Sequence, residues 1–287
     1  MKRMRCLLIV MIFGSVLYAQ AAPKGYLFII GGGSRSENMM KKFVELASGV
    51  KSGRIVVLPM AGATPDESGK SMVDEFKKLG AKDSAYFNLT RDQALKPETS
   101  AILDDAGGVY FTGGDQARVT KALLDTPVHH KLLEIYENGA VIGGTSAGAA
   151  IMSGIMITGD EKRPPAAGRE FETLEAGMIL TPPGLGFIRT AIVDQHFATR
   201  KRHNRLISLV AENPKMLGIG IDEATAVIMN PDGTFDVIGD KDVIVYDPAS
   251  ARVSAAPGTI IGLTGMIMHV LRPGAKFDLK TRKVLIP

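Results

Sequence analysis

The stretch VIGGTSAGAA, residues 141–150, sets one hydroxyl among residues too small to bury it, directly behind an apolar run. Residues 140–143 read as a strand and the small, helix-compatible residues 147–152 follow the serine. Gly144-Thr145-Ser146-Ala147-Gly148 is therefore a Gly-x-Ser-x-Gly sequence in a strand-to-helix turn, the setting in which that pattern has chemical meaning. A serine on so tight a turn takes strained backbone angles, and its neighbours must lack bulk for strand and helix to approach. Its side chain then projects outward at the positive end of a helix dipole. The Ala147 N–H is free there to bind a developing oxyanion. This makes Ser146 a candidate nucleophile; the plain alternative is a Gly- and Ala-rich turn whose serine only caps a helix.

The surrounding chain has the texture that such a turn needs. Residues 26–30 form an apolar run closed by Gly31-Gly32-Gly33, and Ser36 precedes a helical pattern through Met39, Phe43, Val44 and Leu46. Residues 54–58, 85–89 and 108–112 are further strand candidates, with helical patterns at 67–79 and 131–138. Strand then helix, repeated, predicts a parallel sheet covered by helices on both faces. The continuously apolar runs agree with strands buried on both sides. After Gly186 the pattern changes: 190–197 is strand-like, 202–211 helical, and from Gly218 onward short β segments dominate, with Asn230-Pro231-Asp232-Gly233 as a turn. Residues 163–186 form the longest predicted loop. No repeat and no linker divides the chain, so residues 22–287 read as a single α/β domain with a β-rich C-terminal part.

The first 21 residues are set apart. Lys2, Arg3 and Arg5 precede an apolar run at 7–17, and Ala19-Gln20-Ala21 offers small residues at a cleavage spacing, so 1–21 reads as a secretory signal peptide. The run is short for a membrane span, and a retained N-terminal anchor is the alternative reading. A secreted or periplasmic location follows, with no membrane association after cleavage. Removal takes three of the 34 basic residues against 30 acidic ones, and a net charge of +4 becomes +1. Bulk charge thus gives no support to nucleic-acid binding. Cys6, the sole cysteine, leaves as well, so the mature chain has no disulfide and no cysteine-based metal site. About 265 residues remain, enough to bury a large core without staples.

A serine hydroxyl needs an adjacent base to react, and five histidines are available. His129 and His130 read as a surface loop entering a helix, His269 as a packed strand residue, and His203, inside Arg200-Lys201-Arg202-His203-Asn204-Arg205, as a solvated helix start. His196, in Val193-Asp194-Gln195-His196-Phe197, ends an apolar strand among polar groups, which is where open α/β sheets build their sites. An imidazole base is oriented by a carboxylate. Asp160, Glu161, Glu172, Glu175, Asp222 and Glu223 are all candidates, and periodicity does not choose among them. The turn Thr112-Gly113-Gly114-Asp115-Gln116 offers a second oxyanion donor at Gly114. Arg200, Arg202 and Arg205 supply guanidinium groups suited to carboxylates.

At these residues the chain resembles peptidase family S51, from the triple glycine to about Glu223. The resemblance rests on Gly113-Gly114-Asp115-Gln116, on Gly144-Thr145-Ser146-Ala147-Gly148-Ala149, and on Asp194-Gln195-His196-Phe197 with Arg200, Arg202, Arg205 and Leu206. It is nearer to the branch that degrades cyanophycin, a poly-aspartate with β-linked arginine, than to the shorter aspartyl dipeptidase branch. It implies a flavodoxin-like, mostly parallel sheet with a nucleophile elbow, and a serine exopeptidase releasing β-Asp-Arg dipeptides through an acyl-enzyme. It implies Ser146 as nucleophile, His196 as base, Glu223 as third member, and Gln116, Asp194, Gln195, Arg200, Arg202 and Arg205 as the substrate pocket, with Asp194 and Gln195 placed to take the arginine. No metal or organic cofactor is required, and a homodimer is among the partners left open. The rival expectations are an Asp-X or isoaspartyl dipeptidase of the same family and a periplasmic binding module that has lost catalysis.

Overall fold

The computed structural model describes residues 23–164 and 170–287. The predicted signal peptide, 1–21, and part of the predicted loop at 163–186 lie outside them. The first half of the chain alternates as its apolar runs require: β1 (Tyr26–Ile30), α1 (Glu37–Ser48), β2 (Arg54–Leu58), α2 (Pro65–Lys78), β3 (Ser84–Tyr86), the short α3 (Arg91–Ala94), β4 (Ala106–Phe111), α4 (Gln116–Leu123), α5 (Pro127–Glu137), β5 (Val141–Thr145) and the single turn α6 (Ala147–Ala150). A long irregular segment then leads to β6 (Ala191–Gln195), α7 (His203–Glu212) and β7 (Leu217–Ile221). The rest is β: β8 (Thr225–Met229), β9 (Thr234–Gly239), β10 (Val243–Asp247), β11 (Arg252–Ser254), β12 (Gly262–Thr264), β13 (Ile267–Leu271), β14 (Lys276–Asp278) and β15 (Lys283–Ile286).

A nine-stranded mixed sheet runs in the order β15-β14-β9-β8-β1-β5-β4-β2-β3. Its β1, β5, β4, β2 and β3 are mutually parallel, and β8 adds antiparallel to β1. β6, β7, β10 and β13 form a second sheet of their own, with β6 and β7 parallel. The β-rich C-terminal part is thus divided: β8, β9, β14 and β15 extend the main sheet, while β10 and β13 complete the smaller one.

Strand periodicity sets the layers. Phe28 and Ile30 of β1 and Ile55 and Val57 of β2 face a core built with Met39, Met40, Phe43, Val44 and Phe76 of α1 and α2. Their neighbours Leu27, Ile29, Val56 and Leu58 face the opposite core, shared with α4, α5 and α6 and with Ile219, Val243 and Val245 of the second sheet. Ile192, Ile244 and Tyr246, on the far face of that sheet, pack beneath Leu206, Leu209 and Val210 of α7. At the sequence level α1 starts where Ser36 predicts: its side chain accepts the Met39 N–H at 3.2 Å. Among the described residues no helix is long and apolar enough to cross a membrane.

Candidate active site

Four strand ends converge. Ser146 follows β5, the turn Gly113-Gly114 follows β4, His196 follows β6 and Asp222-Glu223 follow β7, all at carboxyl ends, where open parallel sheets leave their crevice. Ser146 sits at φ 53° and ψ −107°, a left-handed conformation that an L-residue holds only when its surroundings dictate it. Its N–H donates to Ile30 O at 3.0 Å, and its carbonyl accepts from Ala149 and Ala150. Within the buried run 141–150 it is the one residue partly open to solvent. The helix after it spans only four residues, so the dipole invoked from the sequence is small, and unpaired N–H groups at the turn remain the electrostatic resource.

Ser146 Oγ lies 2.8 Å from His196 Nε2, and His196 Nδ1 lies 2.5 Å from Glu223 Oε1. A carboxylate only accepts, so the Nδ1 proton points to Glu223 and the Nε2 lone pair faces the serine hydroxyl, which donates to it. Burial holds the imidazole below its ordinary 6.5, with the charges of Arg200 and Arg202 acting in the same sense and the Glu223 hydrogen bond opposing them. A neutral imidazole aimed at a hydroxyl can take its proton. The Gly113-Gly114 turn stands beside this pair: a Cβ at Gly113 would come 3.5 Å from Ser146 Cβ. At Gly114, with φ +139°, a Cβ would fall 2.0 Å from Ala61 O, so only glycine fits.

The six side chains of the expected pocket separate into two groups. Arg200 is exposed and Arg202 half-buried; Arg202 donates to Gln195 O at 2.7 Å and to Gln195 Oε1 at 2.9 Å, and burial lowers it to about 10. The others are buried and already bonded within the protein. Asp194 and Arg205 form a bidentate ion pair with side chains 0% and 1% exposed, and Phe171 lies over the guanidinium at 5.3 Å. The carboxylate that the sequence reading offered to a substrate arginine is paired here with Arg205 of the same chain. Gln116 donates to the carbonyls of Ile157 and Thr158, both at 2.7 Å, and so anchors the irregular segment after α6.

Three of the other histidines are engaged elsewhere in the fold. His129 is buried rather than on a surface loop: its Nε2 meets Leu185 O at 2.8 Å and its Nδ1 accepts from Asp125 N–H. His203 pairs with the Tyr246 hydroxyl at 2.7 Å, and His269 packs on Phe277. Asp222, a candidate acid on sequence pattern, is bound by Thr199 and Lys241, and the carboxylate that meets His196 Nδ1 is that of Glu223. Sequence reasoning passed over one part of the site. The triple glycine after β1, read there as a strand terminator, packs directly against His196 and Glu223. The signal was available, since three consecutive glycines exceed what one turn requires. Among the described residues no group of three or more His, Cys, Asp or Glu side chains is gathered as a metal cluster.

Comparison with known proteins points the same way. The family model for peptidase family S51 matches residues 27–237. A cyanophycinase from Nostoc sp. (strain PCC 7120 / SAG 25.82 / UTEX 2576) is 34% identical over 273 residues, covering 92% of this chain and 89% of its own. One from Synechococcus elongatus is 31% identical over 276 residues, covering 93% and 83%. The crystal structure of a peptidase from an acI-B1 Actinobacterium superposes with a TM-score of 0.68 at 22% identity, over 91% of this chain and 100% of that one.

Proposed function

The chain belongs to peptidase family S51, and from that membership we propose that it is a serine-type hydrolase of cyanophycin that releases β-Asp-Arg dipeptides. The observation that carries the reading is the relay of 2.8 Å from Ser146 to His196 and 2.5 Å from His196 to Glu223. Ser146 Oγ attacks the aspartyl carbonyl carbon while its proton passes to His196 Nε2. The N–H groups of Gly114 and Ala147 receive the oxyanion. Collapse expels the amine, which takes the proton from His196, and leaves an acyl-enzyme. Water then attacks that ester, again deprotonated by His196, and Ser146 is restored. Glu223 holds the Nδ1 tautomer and stabilises the imidazolium formed at each step.

The substrate choice is supported by the identity to the two cyanophycinases over most of both chains. It is also supported by Arg200 and Arg202 at the mouth, whose guanidinium groups suit the free carboxylates of a poly-aspartate backbone. Asp194, Gln195, Gln116 and Arg205 act behind them as braces. The pattern in residues 1–21 makes export part of the proposal: the mature protein begins at Ala22 and works outside the cytoplasm as one unit.

The deciding experiment incubates purified protein with insoluble cyanophycin and identifies soluble products by mass, beside labelling with a fluorophosphonate. Release of β-Asp-Arg and labelling that S146A abolishes are expected. Turnover of α-Asp-Leu without polymer release would move the assignment to a dipeptidase. An unlabelled wild type would leave a binding protein as the better account. Fractionation and mass analysis test this part: absence of the protein from the exported fraction would refute export, and retention of residues 1–21 on exported protein would refute cleavage before Ala22.

A further inference from the structure

The end of β1 touches every segment of the relay. Three consecutive carbonyls each accept one N–H from a different piece of chain: Ile30 O from Ser146 at 3.0 Å, Gly31 O from His196 at 2.7 Å, and Gly32 O from Ala224, beside Glu223, at 2.9 Å. The three donors are also the non-glycine residues at the site with positive φ, at 53°, 49° and 56° respectively. Left-handed backbone at an L-residue persists only where neighbouring structure over-determines it, and here the same strand end supplies that determination three times.

The Cα atoms of the turn are as closely engaged as its carbonyls. A Cβ at Gly31 would lie 2.2 Å from Asp222 O, and one at Gly33 would lie 2.8 Å from Glu223 Cβ. A Cβ at Gly32, where φ is +110°, would fall 2.3 Å from His196 Cε1 and 2.5 Å from Nε2, inside the imidazole ring's own volume. The ring nitrogen that faces Ser146 therefore occupies space left by a missing side chain.

We propose that Gly32 is the positioning residue for His196, and that the turn Gly31-Gly32-Gly33 is the template that sets Ser146, His196 and Glu223 in register. The proposal rests on the assignment of those three residues as the reacting set. Gly32 touches no substrate; it acts through the imidazole. Any side chain there forces the ring off the Ser146 line, while Arg200 and Arg202 keep their places.

The test is the variant G32A, in two backgrounds. In the otherwise wild-type chain, kcat on cyanophycin falls about 100-fold or more, as misplacement of a base by an ångström does, fluorophosphonate labelling slows in parallel, and KM changes little. G32A also lowers Tm. In an H196A background the atoms met by the new Cβ are gone, so G32A/H196A is more stable than G32A, and only the strain of the +110° backbone remains. Near-normal kcat in G32A, or a KM loss without a kcat loss, overturns the proposal. So does a double variant no more stable than G32A, including one that fails to fold as G32A does. Failure of the catalytic assignment reads separately: wild type is then unlabelled, or S146A keeps its activity, while the stability comparison still reports on the imidazole slot.

Discussion

At the residue scale, protonation of His196 decides when the relay works. On the mechanism proposed above, the acid limb of kcat/KM belongs to an imidazole that must be neutral to accept the serine proton, so activity should be lost as pH falls through its pKa. Burial, Arg200 and Arg202 all hold that value below 6.5. Replacing Arg200 by Gln removes one of these influences, the pKa rises, and the normalised acid limb moves to higher pH. An unmoved limb in R200Q would mean that the titrating group lies elsewhere. The pair Asp194–Arg205 makes a different kind of prediction, since its side chains are 0% and 1% exposed. R205A strands a buried carboxylate and should cost about 3–5 kcal/mol in a urea titration. A lysine rescues poorly, because it lacks the planar fork that meets both oxygens. A loss under about 1 kcal/mol would place the ion pair among ordinary surface bridges.

Between elements, the spacing of α6 and β4 governs the site. Gly148 is the contact: a Cβ there would lie 2.5 Å from Phe111 O and 2.9 Å from Phe111 Cβ, at the end of the strand that feeds the Gly113-Gly114 turn. G148A should therefore lose about 1–3 kcal/mol by overpacking and lower kcat by moving the turn relative to Ser146. G154A, whose Cβ would meet nothing nearer than Ile188 O at 3.7 Å, is the control and should resemble wild type in both measurements. Equal behaviour of the two variants would sink the argument. The need for small residues around Ser146 was legible in the chain as written, because a run of Gly and Ala around one Ser after apolar residues has few other physical causes; that Gly148 meets Phe111 of β4 was not. The strand end before His196 was legible for the same reason, as polar groups closing an apolar run. The third partner was not. Pattern alone left six carboxylates open and only the family resemblance singled out Glu223; the structure places Glu223 Oε1 2.5 Å from His196 Nδ1, next to Ala224 at φ 56°, while Asp222 binds Thr199. The buried state of Asp194 was also hidden, because a sequence does not reveal that Arg205, eleven residues on and within the first turn of α7, returns to fill its carboxylate.

For the whole molecule, the division into two sheets decides what the relay requires. Ser146 is carried by the nine-stranded sheet, His196 by the four-stranded one, and Glu223 lies in the three residues between β7 and β8, where the chain crosses from the second sheet to the first. Hydrophobic alternation reports that a strand is buried and not which sheet it joins, so this seam was unreadable until the strands were paired. Asp222 fastens it. Its carboxylate accepts Thr199 N–H at 2.9 Å and Thr199 Oγ1 at 3.1 Å, Lys241 Nζ stands 3.3 Å away, and the same ammonium reaches Thr199 Oγ1 at 2.8 Å. The loop after His196 is thereby locked to the crossing that presents Glu223. Burial alone would raise this carboxyl, but the hydrogen bonds from Thr199, the Glu223 backbone and Lys241 outweigh it and hold the group below 3.8. The sign follows by linkage: the folded state binds the anion's proton less readily than the unfolded chain, so the stabilisation is full above the ordinary aspartate value. It is lost as pH falls through the lower folded one. D222A should cost about 1–3 kcal/mol, as loss of a buried, well-bonded acceptor does, and its stability should fall less steeply than that of wild type across that acid window. Because the seam also aligns base and orienter, kcat should fall about tenfold or more with KM nearly unchanged. A D222A protein that is destabilised yet keeps full kcat would show that the two sheets hold the relay without this clasp.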